Sequence, residues 1–323
     1  MNTRARRRFA QGAGALFAAA CAAPGLLRAA PSNWPNRAVR LIVVYPPGGV
    51  SDGMAGVLAE PLAQALGTPV LIENRPGAGG SLGMDALARS APDGCTLAFS
   101  AISPLTLHPL LARVPYDPQR AFVPVASVMR TPVLVVGTPA FEGRGFGALI
   151  AQARSRPGAV RWATSGVATI GHMVLAQVRM QSRTDITHIP YQGGGPQLND
   201  ALSGQFEVLS TNVAAQQLQY IESGRFQPLA VGAPARIEAL PDVPTLAELG
   251  FEKANRDSLF GIFAPARTPP AVVQRLNAEI NRVLESGTVR ARLHGAYNLP
   301  AGGGTEAFAH EIAIDRRRNR ELV

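Results

Sequence analysis

The feature that most limits what this chain can fold into is a repeated unit: a short β-branched, apolar run, then a glycine-rich loop, then apolar residues at helical spacing. Val39 to Tyr45 reads as a buried strand that Pro46, Pro47, Gly48 and Gly49 end abruptly. Met54, Val57, Leu58, Leu62 and Leu66 then recur at helical spacing. Ser51 or Asp52 is placed to cap that helix, and Pro61 inside it predicts a kink or a break. The unit returns at once, with a strand at Val70–Ile72, a loop from Asn74 to Gly80 and a helix from Ser81 to Ala91 that Ser81 is expected to cap. The turn Ala91-Pro92-Asp93-Gly94 leads to a strand from Thr96 to Ser100. Alternation at this rhythm implies a parallel sheet with helices on both faces, since parallel neighbours need a crossover of helix length.

A second run of the same grammar follows the loop-like stretch from Pro139 to Gly147. It predicts helices near Phe146–Ser155, His172–Gln181 and Ala214–Glu222, and another ending at Leu202. Strands are expected at Val160–Thr164, Ile186–Ile189, Phe206–Leu209 and Pro228–Val231. A closing strand at Leu259–Ala264, a helix over Pro270–Glu285 and a last helix from Thr305 fit best against the first run. The expected architecture is α/β with two lobes: residues 31–135 plus 258–323 form lobe 1 and residues 136–257 form lobe 2. Each lobe is a mainly parallel sheet flanked by helices, with a ligand cleft between them. The chain crosses between lobes twice, as a hinge requires.

Residues 1–30 stand apart, with Arg4, Arg6, Arg7 and Arg8 ahead of an Ala/Gly/Leu/Phe run that has no acidic residue. This is the layout of an export signal, through a twin-arginine-like or the Sec route, and it implies a periplasmic protein. Cys21 lacks the leucine three residues before it that a lipoprotein site carries, which argues against a lipid anchor. Without this segment the net charge falls from +9 to +4, so the basicity is no nucleic-acid signature. Only Cys95 remains beyond the signal, which excludes an intramolecular disulfide or a thiolate metal cluster, and the five histidines show no metal-ligand spacing. No metal or cofactor is expected.

In parallel sheets ligands bind beyond the carboxyl ends of strands, where loops enter helix N-termini. The glycine-rich loops of this chain fall there. Gly48, Gly49, Ser51 and Asp52 would present bare backbone N–H groups beside a helix start, a combination that attracts anions. Thr164, Ser165, Thr169 and His172 make the equivalent loop of the second lobe, and Tyr191 with Gly193 a third. Facing loops with neutral donors suit a carboxylate better than a phosphate, which more often recruits Arg or Lys. For each loop alone, a tight turn with nothing bound is the competing reading.

These loops carry a family resemblance. Tyr45-Pro46-Pro47-Gly48-Gly49 with Asp52, then Glu73 to Gly80, then Ala91-Pro92-Asp93-Gly94, resemble the successive signatures of the tripartite tricarboxylate transporter receptors, also called Bug receptors. Pro115-Tyr116-Asp117-Pro118, His188-Ile189-Pro190-Tyr191, Leu240 to Thr245 and Arg275-Leu276-Asn277 extend the match in order. The resemblance implies the type II periplasmic-binding-protein architecture, a small organic carboxylate as ligand and membrane permease subunits as partners. It also implies a monomer that performs no chemistry. Carried over by position, it places ligand contacts on Gly48, Gly49, Ser51, Asp52, Ser100, Ser103, Thr164, Ser165, Thr169, His172, Tyr191 and Gly193. The chain departs from the pattern at Thr211, where many members carry Asp, and at Leu259, where an aromatic is common. Loss of the acid at 211 weakens the case for a ligand ammonium group.

Two other readings compete. A ligand-sensing co-receptor would share every feature above. An α/β-hydrolase reading rests on Gly79-Gly80-Ser81-Leu82-Gly83, which fits G-x-S-x-G, but a loop from Asn74 separates Ser81 from its strand where a nucleophile elbow would follow directly.

Overall fold

The computed structural model describes residues 34–323, so the export-signal expectation lies outside the described residues. The chain opens with β1 (Val39–Val43), α1 (Val50–Leu66), β2 (Val70–Asn74), α2 (Ser81–Ala88) and β3 (Thr96–Ala101). Two one-turn helices, α3 (Ser103–Thr106) and α4 (His108–Leu111), precede the 16-residue β4 (Phe122–Gly137). The second run comprises α5 (Gly145–Ser155), β5 (Arg161–Thr164), α6 (Ile170–Ser182), β6 (Thr187–Pro190), α7 (Gly194–Leu202), β7 (Val208–Asn212), α8 (Ala215–Glu222) and β8 (Gln227–Gly232). β9 (Asp257–Pro265), α9 (Pro270–Glu285), α10 (Gly287–Gly295), β10 (Leu299–Pro300) and α11 (Thr305–Leu322) complete it.

The strands lie in the order β2-β1-β3-β9-β4-β7-β5-β6, with β8 and β10 also paired to β4. β1 is parallel to β2 and β3, and β5 is parallel to β6 and β7. β9 runs against β3, and β4 runs against β7 and β8. β4 belongs to both halves: residues 122–132 pair with β9 and residues 133–137 with β7 and β8. The change of partner falls between Pro132 and Val133. Pro132 has no N–H to give a ladder, while its carbonyl accepts from Val213 N–H across the junction.

Side-chain alternation gives each sheet two covered faces. Val39, Leu41 and Val43 of β1 join the core under α1, α9 and α10, while Ile42 and the following Val44 join the core under α2 and α11. In the second lobe Val133 and Val135 meet Trp162 and the α5–α6 side, whereas Leu134 and Val136 meet Leu198 and Leu218 of α7 and α8.

Three local expectations are corrected. α1 runs through Pro61 without a break, because Leu58, Leu62 and Leu66 on its buried face pin both sides of the proline to the core. Gly49, rather than Ser51 or Asp52, is its N-cap. α2 ends at Ala88 and takes Gly80 as N-cap, so Ser81 is its first residue and not its cap. The long β4 is half Pro, Thr, Ser and Arg around its midpoint, which hides it from a search for apolar runs.

α11 braces both crossings. Arg130, two residues before the partner change in β4, pairs with Asp257 (3.5 Å) and with Glu311 of α11 (2.8 Å). Arg256, just before β9, pairs with Asp315 and donates to Asn319 Oδ1 (2.7 Å). The far end of the helix reaches the second lobe, where Gln177 donates to the Leu322 carbonyl (3.2 Å). No helix among the described residues is long and apolar enough to cross a membrane.

Candidate functional site

A cavity of about 50 Å³ lies between the lobes. Gly48, Gly49 and Ser51 reach it from the start of α1, and Ser103 from the start of α3. From the other lobe come Ser165, Thr169 and Gly171 at the start of α6, and Gly194 at the start of α7. Thr211, Asn212, Ala214, Gln216 and Gln217 enter from the end of β7 and the start of α8. Four helix N-termini, those of α1, α6, α7 and α8, therefore converge on one space. Each brings N–H groups that have no partner within their own helix and the positive end of a peptide dipole. Among the described residues, no lining residue is charged.

The first-lobe loop owes its shape to a glycine and a carboxylate. Gly48 adopts φ +78°, a left-handed conformation that a side chain would strain. Asp52, from within the first turn of α1, accepts the Gly48 N–H (3.0 Å) and the Asn74 amide (2.9 Å), and Asn74 also donates to the Tyr45 carbonyl (3.1 Å). Burial pushes the Tyr45 phenol above its usual range, against the pull of the Ser103 and Ser100 hydroxyls, which keeps it a neutral donor at the cavity wall.

The second-lobe loop is held by neutral groups. Thr169 caps α6: its hydroxyl donates to the Gly166 carbonyl (2.8 Å) and accepts the His172 N–H (3.4 Å). His172 Nδ1 accepts the Ala168 N–H (3.2 Å), and its ring stacks on His188 at 4.4 Å. His188 Nε2 in turn bonds the Thr164 hydroxyl (2.7 Å). Burial lowers the pKa of both imidazoles, with Arg179 adding to the effect; for His188 the neighbouring His172 contributes as well and brings it to about 4.

Of the twelve residues expected to touch ligand, Gly48, Gly49, Ser51, Ser103, Ser165 and Thr169 line the cavity. The other six stand behind it. Asp52 ties the first loop, Ser100 is fully buried and donates to the Ala101 carbonyl, and Thr164 and His172 brace the second loop. Tyr191 directs its hydroxyl to Asp200 (2.6 Å). Gly193 is a lobe contact: with φ +152°, a Cβ there would stand 2.3 Å from Pro46. A Cβ on Gly79 would likewise meet the Val167 carbonyl at 2.5 Å, and one on Gly195 the Pro47 carbonyl at 2.7 Å. The lobes thus touch at bare backbone on the rim of the cleft.

Sequence reasoning missed Asn212, Gln216, Gln217, Ser258, Tyr45 and Phe260 as lining residues. The Gln-Gln pair opening a helix straight after a strand was the available signal. Thr211 does line the cavity, whereas Leu259 is buried in the first-lobe core beside it.

Ser81 is 2% exposed and bonds His108 Nδ1, with the Tyr116 hydroxyl donating to Ser81 at 3.3 Å. It lies outside the cavity lining, and no carboxylate orients His108 among the described residues. The three side chains close a buried seam under the α2 N-terminus, which is the physical reason a serine follows Gly80.

The sequence profile of the tripartite tricarboxylate transporter family receptor, TctC, matches residues 54–311. Protein BugT of Bordetella pertussis is 38% identical over 259 residues, covering 80% of this chain and 79% of BugT. Among solved structures, R. palustris Rpa4515 with adipate aligns with a TM-score of 0.85 at 28% identity, over 90% of this chain and 97% of that one. MatC from Rhodopseudomonas palustris with bound malate aligns with a TM-score of 0.84 at 27% identity, over 90% and 99%.

Proposed function

The chain belongs to the tripartite tricarboxylate transporter receptor family, and from that premise we propose that it captures a small organic carboxylate in the interlobe cavity and presents it to membrane transporter subunits. The observation that carries this reading is the convergence of four helix N-termini and several hydroxyls on a space that no charged side chain lines among the described residues. Such a site supplies many fixed donors and no acid, so it favours an acceptor-rich anion and disfavours a cation. The adipate and malate held by its relatives make dicarboxylates the first candidates.

Capture proceeds in two steps. One lobe binds the acid, and rotation about the Pro132–Val133 and Arg256–Asp257 crossings brings up the second set of donors. Closure is stabilised only by as much as the acid prefers the closed form. No bond is made or broken, and no cofactor takes part. The protein works as a monomer in the periplasm, reached by a twin-arginine-like or Sec signal.

A thermal-shift screen of the mature protein, refolded to strip copurified ligand, tests the reading with mono-, di- and tricarboxylates, amino acids and aromatic acids. At about 100 times its Kd a true ligand adds about 2.7 kcal/mol of stability, a rise of several degrees. A selective rise with one class of acid supports the assignment. The absence of a rise with every acid contradicts it.

A further inference from the structure

Among the four helix starts in the cavity, α8 is set apart by the glutamine at its third position. Only α6 has a side-chain cap, Thr169; α1, α7 and α8 follow Gly49, Gly193 and Ala214, none of which caps its helix through a side chain, although Asp52 ties the α1 loop. The first N–H groups of α8 face the cavity with no side-chain acceptor. At the third helical position stands Gln217, 6% exposed, on the cavity wall. Its Oε1 is enclosed and has no hydrogen-bond partner among the described residues. A glutamine there usually reaches back to the cap, but here it does not. An orphaned buried acceptor is destabilising, so a ligand that supplies a donor to it is favoured over one that does not.

The surroundings restrict that donor. An ammonium group would face the positive ends of four helices with no carboxylate to pair it, because Thr211 and Asn212 are neutral and Asn212 is spent on Ser258 (2.7 Å). A plain distal carboxylate accepts from the α8 N–H groups and from Gln217 Nε2, but it offers nothing to Oε1. A hydroxyl beside a carboxylate offers both: the carboxylate accepts and the hydroxyl donates, matching the two atoms of one amide.

We infer that Gln217, with the uncapped start of α8, is the specificity-determining subsite, and that it selects hydroxycarboxylic acids over their deoxy and amino counterparts. This rests on the carboxylate-receptor reading above. It assigns the general grip on the acid to Gly48–Ser51 and Ser165–Gly171, and the choice among acids to Gln217.

The test is calorimetric titration with matched pairs: malate and succinate, citrate and tricarballylate, mandelate and phenylacetate, with aspartate as the amino counterpart of malate. Wild-type protein is expected to prefer the hydroxy member of the pair it binds by tenfold or more, because a site built to bond a hydroxyl is left unpaired by the analogue without it. Gln217→Leu should bring that ratio below about threefold by weakening the hydroxy acid, which loses both its bonds to the amide, more than the deoxy acid, which loses only the bond from Nε2. Gln217→Met, closer in shape, serves if the leucine variant melts early. An unchanged ratio in a folded variant, or a wild-type preference for succinate or aspartate, overturns the inference and leaves the carboxylate reading standing. Binding of no acid by wild-type protein overturns both.

Discussion

Gly48–Asp52 in one lobe and Ser165–His172 in the other each deliver a helix N-terminus to the same cavity, yet the first is fastened by a carboxylate and the second by hydroxyls and stacked imidazoles. The Asp52 tie is local, spanning a glycine and an asparagine of its own lobe. The second loop depends on a chain from Thr164 through His188 and His172 to Ala168, in which the bond from Ala168 N–H requires an unprotonated His172 Nδ1 and the stacked rings repel if both are charged. One geometry thus rests on two kinds of bracing, and the two should fail under different conditions.

The largest effect is expected where the lobes meet, since it removes both loops from the ligand at once. Gly193→Val adds a branched side chain 2.3 Å from Pro46, and Gly79→Ala sets a methyl against the Val167 carbonyl at 2.5 Å. Overpacking of this kind costs about 1–3 kcal/mol of closure, which is roughly 5- to 150-fold in affinity. Titration of either variant at wild-type affinity would show that the ligand does not need the lobes shut. Gly49→Val should also abolish binding by filling the first loop's side of the cavity, with little change in melting temperature.

Asp52→Ala comes next. Losing the ties to Gly48 and Asn74 frees the first loop at a cost of about 1–2 kcal/mol, or roughly tenfold in affinity, without altering how binding depends on pH between 7 and 5. A steeper pH dependence in this variant would mean that the two loops are not braced independently.

The second loop is the acid-sensitive one. His172 and His188 have pKa values held below the unfolded value of 6.5, with His188 at about 4, so the folded loop binds fewer protons than the unfolded chain between those limits. The stability they contribute is complete above about pH 6.5 and declines as pH falls toward about 4. Melting temperature and affinity should fall together over that window, and His188→Gln should flatten both profiles. A slope equal to wild type in that variant would place the titration elsewhere.

The smallest effect on binding belongs to Ser81→Ala. It should leave affinity unchanged and lower the melting temperature by several degrees, through loss of the buried bonds to His108 and from Tyr116, each worth about 1 kcal/mol. A large change in affinity would tie the Ser81–His108–Tyr116 seam to the cavity.

The same contrast explains what could be read before the fold was known. The strand-loop-helix rhythm is written in aliphatic runs and glycines, so β1 through β3 and the second-lobe units sit close to their expected positions. β4 was invisible as one strand because its middle, where it changes sheets, carries Ser127, Arg130, Thr131 and Pro132 in place of an apolar run. Loop glycines mark backbone approach, so Gly48 and Gly49 were legible as cavity residues, and so were the hydroxyls next to them. Glycine alone does not reveal what approaches, and Gly193 proves to face Pro46 of the other lobe. Asp52, Thr164 and His172 carry the right chemistry at the right loops but spend it on holding those loops. The Gln216-Gln217 pair is a signal that sequence offers for the cavity wall, but the unpartnered Oε1 of Gln217 is disclosed only by packing.

A crystal structure of the protein with the acid that gives the strongest thermal shift tests the central claim most directly. The account predicts carboxylate oxygens within about 2.7–3.2 Å, directly or through one water, of N–H or hydroxyl groups from Gly49–Ser51 in one lobe and from Thr169–Gly171 in the other. An acid held by one lobe alone, or bound outside the interlobe cavity, would contradict it.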